Sequence, residues 1–199
     1  SSFLNFYLTN VCEIALKYGG TIDKFIGDSV MIFFGDPDTK GAKEDAIACC
    51  QMAMEMLAFL ENNQQHFQDM YNFPEKLEIR VGIHNGLCNV GNFGSEQRLD
   101  YTAIGRTVNV AARLEQAAPK NSILVSSAIR NLIKNKFETS SPIEVKAKGI
   151  DKPIASYVLN RQEPQNTKVI KELDGLKLEY DPKKIDKNKL LEIISELEN

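Results

Sequence analysis

The run Thr21-Ile-Asp-Lys-Phe-Ile-Gly-Asp-Ser-Val-Met-Ile-Phe-Phe-Gly35 constrains this chain more than any other stretch. Strand-like apolar residues flank a tight Gly27-Asp28 corner on both sides. That is the pattern of a β-hairpin with a short turn. It also sets two polar functional groups, Lys24 and Asp28, among apolar neighbours. A carboxylate at the exposed tip of a rigid sheet is well placed as a metal ligand. Gly-Asp corners are equally common as plain turns, so the hairpin alone leaves both readings of Asp28 open.

Helical patterns lie on either side of it. Leu4, Tyr7, Val11, Ile14 and Tyr18 line one face of a helix over residues 3–18, which Gly19-Gly20 stops. A second pattern runs from about Lys43 to Asn62, with Ala46, Cys50, Ala53, Met54, Leu57 and Leu60 on its inner side as core filling. Residues 64–76 are polar, contain Pro74 and read as a surface connection. Residues 77–84 alternate as a half-buried strand, and 87–93 read as its partner, with glycines marking bends. His84 reads as a structural histidine.

Residues 94–105 form a polar excursion before a third helix, Thr107 to about Ala117. Asn109 and Arg113, four apart, share one face of that helix. Such a pair can clamp a sugar oxygen and a neighbouring phosphate, although spacing alone favours a solvated face. A strand at 122–125, a short helix capped by Ser126 or Ser127, and closing strands at 143–149 and 155–159 follow. Lys146 and Lys148 alternate with apolar residues there, facing a cleft or simply charging a sheet edge. From Arg161 the composition turns to mixed charge, ending in a helix striped by Leu190, Ile194 and Leu197. With one strand placed before the first helix, this order is an α+β, ferredoxin-like βαββαβ core with C-terminal additions.

Bulk properties narrow the function classes. At 199 residues and 43% apolar content the chain is long enough for a proper core. A net charge of −3 gives no electrostatic reason to expect a nucleic-acid or membrane-surface partner. The apolar runs are too short to span a bilayer. Cys12, Cys49, Cys50 and Cys88 show no metal-type spacing with His66 or His84, and the helical cysteines read as reduced, packed thiols of a cytoplasmic protein.

Three segments together carry a resemblance: Tyr18 to Met31 (YGGTIDKFIGDSVM), Arg80 to Gly86 (RVGIHNG) and Leu99 to Glu115 (LDYTAIGRTVNVAARLE). They resemble, in the right order, the catalytic domain of class III nucleotidyl cyclases. The likeness covers about residues 1–160 and leaves 161–199 as a C-terminal extension with a terminal helix. It implies an adenylyl cyclase that converts ATP to cyclic AMP and pyrophosphate. Two divalent ions, Mg²⁺ or Mn²⁺, would act at sites shared across a head-to-tail homodimer. By resemblance Asp28 matches a metal aspartate, and Lys24 the lysine that reads the purine and favours adenine. Thr102, seven before Asn109, falls on the second base-reading position, where Thr marks a subclass similar to cyanobacterial and soluble bicarbonate-responsive cyclases. Asn109 matches the ribose-orienting residue, Arg113 the one that stabilises charge on the α-phosphate, and Lys146 the one that reaches the terminal phosphates.

The chemistry explains these residue types. The ribose 3′-hydroxyl must attack the α-phosphorus in line while pyrophosphate leaves, a displacement suited to two metals and to a preorganised cation at the phosphoryl group. A lysine only donates, which suits adenine N1 and disfavours guanine N1–H, whereas Thr102 can donate or accept and is permissive. The family's first metal aspartate lies on a strand ahead of the first helix, and residues 1–27 offer only Asp23, on the hairpin itself. The expectation is therefore that the chain lacks a first strand its parent has, with weak nucleotide binding and little turnover by these residues alone. The parent would carry an N-terminal regulatory region and could be membrane-tethered, while this part makes no membrane contact. Two alternatives stand beside adenylyl cyclase: a guanylyl cyclase, and a catalytically silent cyclase-like module that dimerises and regulates a partner.

Overall fold

A computed structural model describes residues 2–73, 75–145, 153–161, 169–173, 175–181 and 185–197. Helix α1 (Ser2–Lys17) buries Val11, Ile14 and Ala15, and the Gly20 N–H bonds back to the Ala15 carbonyl at 2.9 Å to close it. The expected hairpin follows as β1 (Thr21–Ile26) and β2 (Ser29–Phe33). Gly27 takes φ +65 at its corner, a left-handed conformation that glycine adopts without a side-chain clash. Pairing runs Ile22 to Ile32 and then Lys24 to Met31, so Asp23 is the extra residue of a β-bulge.

Helix α2 (Ala42–Asn62) lies between two packed clusters. Ala46, Ile47, Cys50, Ala53, Met54 and Leu57 face one, with Ile123, Val125 and Ile129. Met52, Met56, Phe59 and Leu60 face the other, with Val11, Ile14 and Phe67. A helix covered on two sides reads as apolar nearly all round. Its buried Glu55 is matched locally, accepting from Lys17 Nζ at 2.8 and 2.7 Å and from Tyr18 Oη at 2.5 Å.

Three expectations are corrected. Residues 64–76 are not simply a surface connection: α3 (Gln64–Tyr71) anchors Phe67, fully buried among Phe3, Phe6 and Phe59. Nor do the segments at 77–84 and 87–93 pair with each other. Strand β3 (Arg80–Ile83) lies parallel to β6 (Ser122–Ser126). Strand β4 (Asn89–Ser95) forms an antiparallel hairpin with β5 (Arg98–Ile104), the stretch expected to be irregular. Arg98 to Tyr101 are exposed, so polar residues there carry none of the apolar alternation of a half-buried strand.

Helix α4 (Arg106–Ala117) starts directly after β5 and buries Val110 and Leu114. Ser126 caps α5 (Ser127–Ile133) and also accepts or donates at 2.8 Å to His84 Nδ1, in keeping with a structural His84. Strands β7 (Ile143–Val145) and β8 (Ile154–Val158) complete a four-stranded sheet in the order β3-β6-β8-β7. Beyond it, β9 (Val169–Leu173) and β10 (Leu176–Tyr180) make a hairpin, and α6 (Lys187–Leu197) ends the described chain. That hairpin was not apparent from sequence. Its Ile170 enters the second cluster, and its N–H bonds the buried Asn63 Oδ1 at 3.0 Å. Among the described residues no helix is long and apolar enough to cross a membrane.

Gly82 on β3 sets how closely α4 lies on the sheet. A Cβ there would sit 2.2 Å from Glu115 N and 2.4 Å from Ala111 O. Both are helix backbone and cannot rotate away. Gly82→Ala is therefore expected to destabilise the fold by about 3 kcal/mol, measured as a lower urea midpoint with unchanged m-value.

Candidate active site

The bulge at Asp23 turns its side chain into the protein, where it is 0% exposed. Burying a carboxylate is costly unless donors surround it. Here Thr102 Oγ1 lies 2.8 Å from both carboxylate oxygens, and the Ala103 N–H donates to Oδ2 at 2.8 Å. Lys24 Nζ stands 3.3 Å from Oδ1. Lys24 and Thr102, named separately from sequence, thus meet on one carboxylate that joins β1 to β5. Thr102 is 4% exposed, whereas the Lys24 side chain is 43% exposed. A second tie joins the same two regions, with Tyr101 Oη donating to Asp36 Oδ1 just beyond β2.

Asp28 is exposed at the β1–β2 corner, and among the described residues it makes no hydrogen bond or ion pair. Its charge is felt by Tyr7 on α1. The Tyr7 hydroxyl is pushed up to about 12, first by burial, then by Asp28 and Cys12. Asn109 and Arg113 are both exposed on α4, next to the buried Val110 and Leu114. Arg113 Nη1 donates to Gln116 Oε1 at 2.9 Å, so the guanidinium lies along the helix surface. Lys146 falls outside the described residues.

As a metal centre the arrangement is incomplete. The exposed Asp28 carboxylate is a hard oxygen donor of the kind Mg²⁺ takes. Asp23 is engaged with Thr102, Ala103 and Lys24, and no group of three or more His, Cys, Asp or Glu gathers among the described residues. These residues do not compose a two-ion cradle. What they do present is a fixed ammonium, a carboxylate at a hairpin tip, and a carboxamide and guanidinium one turn apart on a helix.

Sequence reasoning missed Asp23 as the organising group, because a bulge is a property of strand pairing. The signal available was an acid directly before Lys24 within an apolar strand. It missed Tyr101–Asp36 for the same reason, since β5 itself was not seen.

Comparison with known proteins agrees with this geometry. The model of the adenylate and guanylate cyclase catalytic domain matches residues 2–161. The chain belongs to that family. An adenylate cyclase of Anabaena cylindrica is 34% identical over 160 residues, covering 78% of this chain and 31% of that protein. The chain thus spans about a third of that relative's length. The crystal structure of the adenylyl cyclase CyaB from P. aeruginosa is 44% identical, with a TM-score of 0.78 over 82% of this chain and 83% of that one. That of the guanylyl cyclase Cya2 is 29% identical, with a TM-score of 0.74 over 82% of each. The α+β fold of the cyclase domain is therefore shared with both nucleotide specificities.

The titration of Tyr7 gives a pH test. Its folded value is raised above the ordinary 10, so its contribution to stability is whole below pH 10 and is lost as pH rises towards 12. Cys49, pushed up from 9 to about 12 by burial, adds to the same loss from pH 9. Urea midpoints taken between pH 8.5 and 12 are expected to fall over this window, and to fall less steeply in Tyr7→Phe.

Proposed function

We propose that this cyclase domain is an adenylyl cyclase forming 3′,5′-cyclic AMP and pyrophosphate from ATP. The observation that carries the reading is the exposed Lys24 ammonium, held over Asp23 beside Thr102. A lysine donates and cannot accept, so it matches the lone pair of adenine N1 and conflicts with guanine N1–H. The adenylate cyclases similar to this chain support the same choice. Thr102 lies at the same end of the site, on the carboxylate beneath Lys24.

Asn109 orients the ribose through its carboxamide, and Arg113, one helical turn away, meets the charge that grows on the α-phosphoryl oxygens as the 3′-hydroxyl attacks. Lys146 is the cation proposed for the terminal phosphates. Mg²⁺ or Mn²⁺ is the proposed cofactor, with Asp28 as a carboxylate ligand; such ions neutralise phosphate oxygens and lower the pKa of a bound hydroxyl. Two copies of the chain form the working unit. Lys24 and Asp28 lie four residues apart, at most ~14 Å along extended backbone, and serve different sites of the pair. Residues 1–160 form the catalytic unit and 161–199 an appended segment, in a cytoplasmic setting.

Turnover of ATP and GTP with Mg²⁺ and with Mn²⁺ tests the reading, on these 199 residues and on the chain with whatever its gene encodes ahead of Ser1. Cyclic AMP is the expected product. Preferential cyclic GMP formation would instead identify a guanylyl cyclase, and absence of both products a silent module. In the active form, Arg113→Ala is expected to lower kcat about 10²- to 10³-fold with little change in KM. Asp28→Ala is expected to abolish the dependence on added metal together with activity.

A further inference from the structure

We infer that Thr102 governs base selection from beneath, through Asp23, and that Lys24 alone of the three meets the purine; this rests on the adenylyl cyclase reading above. A threonine hydroxyl has one hydrogen, and here it points at a carboxylate whose two oxygens both lie 2.8 Å away. Thr102 is 4% exposed and the Asp23 side chain 0%, while the Lys24 side chain is 43% exposed. A base approaching from solvent therefore encounters the ammonium. For Thr102 to turn outward, a buried carboxylate would have to give up a donor, which is unfavourable.

The lysine's conflict with guanine N1–H holds only while its ammonium faces N1, because guanine O6 also accepts hydrogen bonds. Selectivity requires that the ammonium be held opposite N1 and kept from sliding to O6. Asp23 supplies that restraint. Its Oδ1 draws Lys24 Nζ to 3.3 Å, and its own orientation is fixed by the Ala103 N–H at 2.8 Å and by Thr102. Asp23 and Thr102 are positioning residues acting through Lys24.

The test compares ATP with GTP, as kcat/KM and as equilibrium affinity, in wild type, Asp23→Asn, Thr102→Val and Thr102→Ser. Thr102→Val is also placed in the Asp23→Asn and Lys24→Met backgrounds. Asp23→Asn and Thr102→Val are each expected to lower the ATP:GTP ratio about tenfold, mainly through better use of GTP. Thr102→Ser should keep the ratio, and Thr102→Val should change nothing further in either background. A further fall in the Lys24→Met background would mean direct contact with the base and overturn the inference. So would an unchanged ratio in Thr102→Val, or parallel losses for both nucleotides. Should Asp23→Asn fail to fold, the Lys24→Met pair decides alone. A wild type that binds ATP over GTP without cyclising it defeats the activity reading, and the affinity ratios then decide this one. A wild type with no preference for ATP overturns it.

Discussion

A carboxylate removed from water needs donors around it, and Asp23 has them from two separate hairpins. The β1–β2 and β4–β5 pairs belong to different hydrogen-bonded sheets, and neither joins the four-stranded sheet of β3, β6, β8 and β7. Among the described residues no ladder joins the two hairpins. The Asp23 cluster, the Tyr101–Asp36 bond and the Phe33–Tyr101 ring contact bridge them. Since β5 ends at Ile104 and α4 begins at Arg106, whatever fixes β5 also fixes where Asn109 and Arg113 start. Lys24 and the helix that carries Asn109 and Arg113 are thus coupled through one bulged residue.

The support beneath this arrangement is ordinary packing. Ile22, Val30 and Ile32 of the hairpin lean on the cluster made by α1, α2 and α3, leaving Phe25 and Ile26 outward. On the other side, Gly82 lets α4 lie directly on β3. The first hairpin and α4 thus each rest on an apolar face, which leaves Asp28 and Asn109 exposed on the opposite side. The Lys17–Glu55–Tyr18 cluster repeats the logic of Asp23 at the end of α1: a buried acid with its donors supplied locally, just where the chain turns into β1.

What was legible in the sequence follows from which physical signals are local. Helical periodicity found α1, α2 and α4, and apolar runs around Gly27-Asp28 found the first hairpin. Strand β5 was not legible, because Arg98, Leu99, Asp100 and Tyr101 are all exposed and no face had to be apolar. Helix α3 was obscured by its polar majority, its burial resting on His66 and Phe67. Lys24 and Thr102 were recognisable through their neighbours in sequence, but 78 residues separate them, and nothing local announces that both address Asp23. That fact depends on a register shift between Ile22 and Lys24, visible once the strands are paired.

The same register shift bears on why the proposed site belongs to two chains. A bulge strengthens local twist, and beyond it the strand carries Phe25 and Ile26 into solvent, 51% and 61% exposed. On the neighbouring hairpin Leu99 and Tyr101 are 61% and 44% exposed. Large apolar side chains around polar functional groups are what an interaction surface presents. In the proposed reading, a second copy of the chain is the partner that would cover them. In the proposed head-to-tail pair, Lys24 within β1 and Asp28 at the β1–β2 corner would each be offered to a nucleotide by a different copy.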